Sequence, residues 1–405
     1  MKKRVIAAAV LLLLLAPTLS FAGSGYEGGF YTNNEDDTFR LTTSGRVQPQ
    51  LFYEKEKQGP AIFSFAMRRA EVSFNATVHE KGHLGLTLKH SQFSPGGTGT
   101  FATVNVTGAY ASIDVIPELT ITAGMVGLPL SFINEVSSKW LLVTESPIVV
   151  SEDDVSFPLT PLRSSFGTPD GLGINLSGGY WKWFYSLSVV GANESNYEIN
   201  KDSKRMSVGF WTGFNILDPV PGKLTDFDCS DTPKFMVSVG SDYQPKRYQY
   251  DPSNPNANPV EIGYIWTSSL GTAVRWAGLS FTAEGFYKRT KINNPGYLAG
   301  SGAAWIRPML TEMGYYAAAG YYIIPKKFEI AAQASQAFRQ GPGNDSWELG
   351  GGLNYYIFEN NMKLQLNYRM YRFFAEDSDP NDPNFGTYTR NNAQHDVVLM
   401  LSATF

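Results

Sequence analysis

Four histidines and one cysteine are the residues with most chemical potential in this chain, and their spacing supplies no reaction centre. His79 and His83 flank the turn HEKGH and have the i, i+4 spacing of a metal pair. No further His or Cys lies near them, whereas a zinc site needs three or four ligands, so neither a metal nor a cofactor is expected. His90 and His395 have no Ser or acidic partner at a spacing that builds a nucleophilic triad. Cys229 has no second cysteine to pair with and sits in the polar run LTDFDCSDTP, which reads as a loop without chemistry. A catalytic role is therefore not expected. What remains is fixed charge: Arg46, Arg69, Glu71, Lys89, Glu284 and Arg369 all fall inside segments of alternating polarity. Charges held on the wall of a wet cavity act on passing ions through their field.

The elements that carry these charges are strands. Period-2 alternation recurs near 39–53, 62–78, 82–93, 103–116, 118–126, 171–179, 181–191, 205–217, 234–244, 262–276, 278–289, 311–324, 326–339, 346–358, 361–375 and 393–405. Most exceed the length of about 5–6 residues usual in a soluble sheet and match the about 9–11 of a tilted membrane-spanning strand. Short links such as HEKG, WAG, PKK and FENN alternate with long polar ones, as in outer-membrane barrels. The connector 218–233 is long where a short turn is due. In 278–289, Leu279, Phe281, Ala283 and Tyr287 oppose Ser280, Thr282, Glu284 and Lys288; in 361–375, Leu364, Leu366 and Tyr368 oppose Lys363, Gln365, Asn367 and Arg369. Charge confined to one face of many strands means an oily exterior and a wet interior, the reverse of a soluble barrel. Aromatic pairs at strand ends, such as Trp181 with Trp183 and Tyr355 with Tyr356, suit lipid–water girdles. The fold class expected is all-β: a 16-stranded antiparallel transmembrane β-barrel. Sixteen strands enclose an aqueous channel where eight would fill their lumen.

Strand parity sends Arg46, Arg69, Glu71 and Arg369 to the lumen on strands that closure makes neighbours, with Lys89 beside them and Glu284 across from them. A basic patch facing an acidic residue would set a transverse field on ions, unless the charges pair with one another.

The N-terminus reads as an export signal. Lys2, Lys3 and Arg4 precede the apolar run Val5–Leu15, and Ser20-Phe21-Ala22 offers small residues for cleavage. The expected organisation is a signal peptide over 1–22, a periplasmic N-terminal segment over 23–38, and the barrel over 39–405. Losing Lys2, Lys3 and Arg4 takes the formal charge from −4 to −7, which argues against nucleic acid as a partner. Outer-membrane lipid and small hydrophilic solutes or ions are the partners expected, and the outer membrane of a Gram-negative bacterium is the location.

The connector 127–170 carries Leu128, Phe132, Ile133, Trp140, Leu141 and Leu142, unusually apolar for an external loop. Long connectors in compact proteins tend to be functional. Folded inward, this one would narrow the lumen and set a size limit; laid over the rim, it would make a subunit contact. A plugged barrel with an adhesive or envelope-structural role is the alternative to a channel.

Several stretches resemble one family in chain order. FAMRRAEVSFNATV (65–78), GMVGLPLSFINEVSSKWLLVTESP (124–147), PDGLGINLSGGYWKWFYSLSVVGANESN (169–196), GYYAAAGYYIIPKKFEIAAQAS (314–335) and MKLQLNYRMYRF (362–373) are similar to segments of the phosphate-selective porin O and P family. The resemblance implies a sixteen-stranded porin for passive diffusion, a homotrimer, with the third long loop folded inside. It implies that Gly124 and Pro129 open the constriction loop, that Glu135, Lys139 and Glu145 lie along it, and that Phe405 is read by the barrel-insertion machinery. Three positions depart from the family pattern: Gly127, Ser146 and Asp170 stand where it has basic residues. Lys139 and Arg163 are outnumbered by Glu135, Glu145, Glu152, Asp153, Asp154 and Asp170, whereas phosphate selection needs dense Arg and Lys donors. The family implies anions or phosphate; the loop composition leaves the solute open.

Overall fold

The computed structural model describes residues 21–26, 29–55, 61–90, 104–150, 166–168, 170–191, 206–249, 260–293, 308–338, 346–372 and 394–405. Two short strands, β1 (Phe21–Tyr26) and β2 (Phe30–Asn34), precede sixteen longer ones. These are β3 (Phe39–Lys55), β4 (Ile62–Val78), β5 (Gly82–His90), β6 (Val104–Ile116), β7 (Leu119–Gly127), β8 (Asp170–Tyr180), β9 (Trp183–Gly191), β10 (Met206–Asn215), β11 (Lys234–Gln249), β12 (Val260–Trp276), β13 (Leu279–Ile292), β14 (Met309–Ile324), β15 (Phe328–Phe338), β16 (Ser346–Phe358), β17 (Met362–Arg372) and β18 (Gln394–Thr404). Each pairs antiparallel with the next, and β18 pairs back on β3, so the sixteen close into a barrel without a free edge. All sixteen strand segments expected from the alternation form.

The N-terminal pair is an addition to that expectation. β1 and β2 form a hairpin, and β2 docks on β3 through Phe30↔Thr43 to Asn33↔Arg40. The same edge of β3 pairs with β18 from Lys55 to Arg46. Strand β2 therefore continues the line of β18 beyond Phe405, whose backbone exchanges hydrogen bonds with Gly45 (2.7 and 2.9 Å). Phe30 packs on Phe405 with ring centroids 6.4 Å apart.

Tight turns gather at one end of the barrel, at 79–81, 181–182, 277–278, 325–327 and 359–361, and each contains a residue at positive φ. In β13 the side chains alternate: Ser280, Thr282, Glu284, Phe286 and Lys288 are buried inward, while Leu279 and Phe281 are exposed outward. The apolar core lies inside the barrel. Leu130, Phe132, Ile133, Leu141, Leu142, Val149 and Phe166 of the long connector pack on Phe286, Tyr316, Ala318, Ala331 and Ala337 of the wall. Small wall residues make the space. A β-carbon at Gly240 would collide with the carbonyl of Leu130, so a glycine there lets the loop backbone lie against β11.

Candidate functional site

The third long loop enters the lumen from β7. Gly124 sits at φ +132 beside the Ala109 carbonyl, a conformation and a space open only to glycine. Pro129 follows, buried, and leads into the single helical turn α1 (Phe132–Glu135). Its Ncap residue, Ser131, makes no side-chain cap. The cap comes from the wall: the Glu284 carboxylate accepts from the backbone N–H groups of Phe132 (2.7 Å) and Ile133 (3.0 Å). These are orphan donors of a helix N-terminus, and a buried carboxylate is their strongest acceptor.

Further anchors run along the wall. Ser269 donates to the Leu130 carbonyl. Asn354 Nδ2 donates to Leu142 (2.8 Å), and Lys363 Nζ to the carbonyl of Lys139 (2.9 Å). Asn367 accepts from Thr144 N–H and Glu348 from Ile148 N–H, both at 2.7 Å. The loop thus lies on β12 to β17. Its far side is held by Arg68, which donates to both oxygens of Glu145 at 2.6 and 2.5 Å.

Arg68 and Arg69 are consecutive yet both reach inward polar partners, because the β3–β4 register slips at Gln48/Pro49. A bulge leaves one residue out of the alternation. Parity alone selects Arg69 and misses Arg68; Pro49, which cannot donate to a ladder, is the sequence mark of the irregularity.

The charges assigned to the lumen wall divide between two places. Arg46 pairs with Glu71 (2.7 Å), Arg69 donates to Gln48 (3.0 Å), and Arg369 pairs with Asp396 (3.0 Å). Lys89 stands opposite Glu71 across β4–β5 and in the field of Arg46, Arg68 and Arg69. These groups form one acid–base ladder on the β17–β18–β3–β4–β5 side. Glu284 is not in it, being committed to the helix cap; Glu312 is 3.5 Å from Lys288, and Glu329 accepts from Tyr356 and Thr225. Lys139 holds the wall through its backbone, with its ammonium 5.4 Å from the Trp140 ring centre. Arg163 lies outside the described residues.

The connector 218–233 also turns inward, from the opposite end. Leu224, Thr225, Asp226 and Phe227 are buried. Thr225 donates to Glu329 (2.7 Å), Asp226 accepts from Gly278 N–H (2.8 Å), and Lys223 lies 4.4 Å over the Trp140 ring. Leu224 joins the apolar cluster of the loop. Two inserts therefore meet inside the barrel on the β11–β16 side. The opposite wall stays wet: along β4 to β9 the inward residues Glu71, Ser73, Thr87, Thr122, Asn175 and Ser186 remain half-exposed.

Glu135, at the end of α1, is open to this wet space but enclosed by protein. Burial, with Asp170 nearby, pushes its carboxyl up to about 7. It carries charge above that pH and loses it below. Any preference for cations that it supplies is expected to fall as bath pH drops from about 8 to about 6, and the pH dependence is expected to vanish in Glu135→Gln. Reversal potentials across a salt gradient measure both.

No family model and no curated relative matches the sequence. Solved structures do. OmpT of Vibrio cholerae in its trimer form is similar at TM-score 0.57 and 9% identity, over 90% of this chain and 100% of that one. DcaP, an outer-membrane channel of Acinetobacter baumannii, gives 0.55 and 11%, over 92% and 99%. Salmonella typhi OmpF, in complex with daunomycin, gives 0.54 and 13%, over 95% and 100%. At these identities the likeness establishes the fold. This chain has the sixteen-stranded barrel of outer-membrane porins and channels.

Proposed function

We propose that the chain is an outer-membrane porin through which small hydrophilic solutes or ions diffuse passively, without a covalent step. The observation that carries this reading is the asymmetry of the lumen. The loop covers β12 to β17 with hydrogen bonds and apolar contacts, while the polar inward face of β4 to β9 is left half-exposed by the described residues. An off-centre water path between loop and wall follows, with its width set by the loop. The fold and the outward apolar face support residence in a Gram-negative outer membrane. The resemblance in sequence supports a homotrimer, and the terminal strand with Phe405 suits recognition by the insertion machinery.

Anion or phosphate preference is the finer form of this reading. The cationic ladder favours it, but Arg46, Arg68 and Arg369 each hold a carboxylate at 2.5–3.0 Å, which cancels most of their field. A weak ion preference is the better expectation. Conductance of the purified protein in a planar bilayer tests the channel. Arg46→Ala and Arg369→Ala are each expected to lower chloride over potassium permeability only about twofold, the effect of one unit charge about 8 Å from the path in a water-like dielectric screened by about 0.1 M salt. Unchanged reversal potentials in both would remove the ladder from selectivity. The meeting of the 218–233 connector with the loop favours the plugged barrel instead, and absence of any channel current would decide for it.

A further inference from the structure

A cavity of about 560 Å³ lies between α1 and the β7–β11 wall, on the wet side of the loop. One side of it is aromatic. Phe184 and Trp211 pack at 4.6 Å between ring centres, and Phe132 of α1 lies 6.3 Å beyond Trp211. These rings also back onto the loop's apolar cluster, which holds them in place. The other side is a set of neutral polar groups: Thr122, Asn175, Ser177 and Ser186, with Glu135 at the helix end. No Arg or Lys is among the described lining residues, although the ladder across the lumen is rich in them. The described lining therefore offers phosphate or another anion no cationic partner.

The hydrogen-bonding inventory narrows the ligand further. The indole N–H of Trp211 is buried, so this residue offers a ligand its ring and not its donor. Glu135, when ionised, can only accept. Thr122, Asn175, Ser177 and Ser186 can each donate and accept, so a ligand that suits the whole lining carries hydroxyls together with an apolar face to lie on the rings. An organic cation would use the rings and Glu135 but leave the row of hydroxyl and amide groups unmatched, and an anion meets no cation among the described lining residues. A sugar ring has hydroxyls around its edge and C–H groups on its faces. Cavities of this size, with an aromatic wall and a few convergent polar groups, are the usual form of small-molecule sites.

We infer that this cavity is a saccharide-binding subsite in the channel, with Phe184 and Trp211, backed by the buried Phe132, as the stacking face and Glu135, Ser177 and Ser186 as the hydroxyl-reading face. The inference deepens the porin reading and rests on it for the claim that the sugar passes through. A subsite on the path would raise the local concentration of a neutral solute that no wall charge can attract.

The test uses the full chain in planar bilayers, with maltose and sucrose as probes of ion-current block and inorganic phosphate and tetramethylammonium as comparators. Saturable block by a disaccharide at millimolar concentration, with none by phosphate, is the expected result. Trp211→Leu is expected to raise the half-blocking concentration about tenfold through loss of ring contact, and Glu135→Gln by a similar factor through loss of a charged acceptor. The Gln change alters no backbone contact, so it keeps the test valid if the Leu variant folds poorly. A conducting channel that sugars do not block, or that phosphate or tetramethylammonium blocks better, overturns the subsite and leaves the porin standing. If no current appears, the porin reading falls, and calorimetric titration of maltose into the detergent-solubilised protein decides the subsite alone: absence of saturable heat overturns it.

Discussion

Glu284→Ala is expected to give a channel with larger and noisier conductance than the parent. The carboxylate is buried and takes the backbone N–H groups of Phe132 and Ile133 at 2.7 and 3.0 Å. Removing it leaves two buried donors unmatched, at a cost of about 1–3 kcal/mol each. Against that stands the apolar anchoring of the same turn. Phe132 and Ile133 are both buried, and each contributes about 1.5–3 kcal/mol by that burial. The two effects are of similar size, so α1 should detach part of the time rather than permanently. Excursions of the turn into the wet side would then appear as current noise, and the mean opening would widen while α1 is away from the wall. Glu284→Gln retains one acceptor and should fall between the two. Single-channel recording distinguishes these cases. Conductance and noise equal to the parent in the Ala variant would show that the carboxylate does not hold the loop.

Much of this architecture is legible in the sequence because a barrel strand has one period and two solvents. Alternation such as Leu279-Ser280-Phe281-Thr282 states both the conformation and the face. The inward loop is legible for a related reason: Leu128, Phe132, Ile133 and Leu142 have to leave water, and an empty lumen is the nearest place. Three features escape that reasoning. The β1–β2 hairpin is short and its exposed residues mix Gly23 and Ser24 with Tyr26 and Phe30, so it carries no clear alternation; Asn34, Asp36 and Thr38 close its link to β3 through local side-chain bonds. The 218–233 connector buries only a few side chains, among them Leu224 and Phe227, too few for a pattern. Its inward course depends on Glu329 and Tyr322, about a hundred residues away. The site charges are legible as inward-facing, but their partners are not. Whether Arg369 meets Asp396 or solute depends on a register that alternation does not specify.

Arg68 and Glu145 offer the sharpest case, and a double-mutant cycle should resolve it. The pair joins the loop to the wall opposite its main anchors, with side chains only 9% and 18% exposed. Breaking a buried pair by removing one partner typically costs about 3–5 kcal/mol, but the two removals are not equivalent here. In Arg68→Ala, Glu145 keeps Arg69 and Arg369 within its field. In Glu145→Ala, those three arginines lose a shared counter-ion and repel one another. Glu145→Ala is therefore expected to destabilise the protein more than Arg68→Ala, and the double variant should resemble Arg68→Ala alone. Unfolding in urea from detergent micelles measures the order. Selectivity should separate the variants as well: losing the carboxylate should move the reversal potential toward anions, while losing the guanidinium should move it toward cations. Stability effects that add within about 0.5 kcal/mol would show that the two residues act independently. The latch would then be a contact of no consequence, and the position of the loop would rest on Glu284, Asn354 and Asn367 instead.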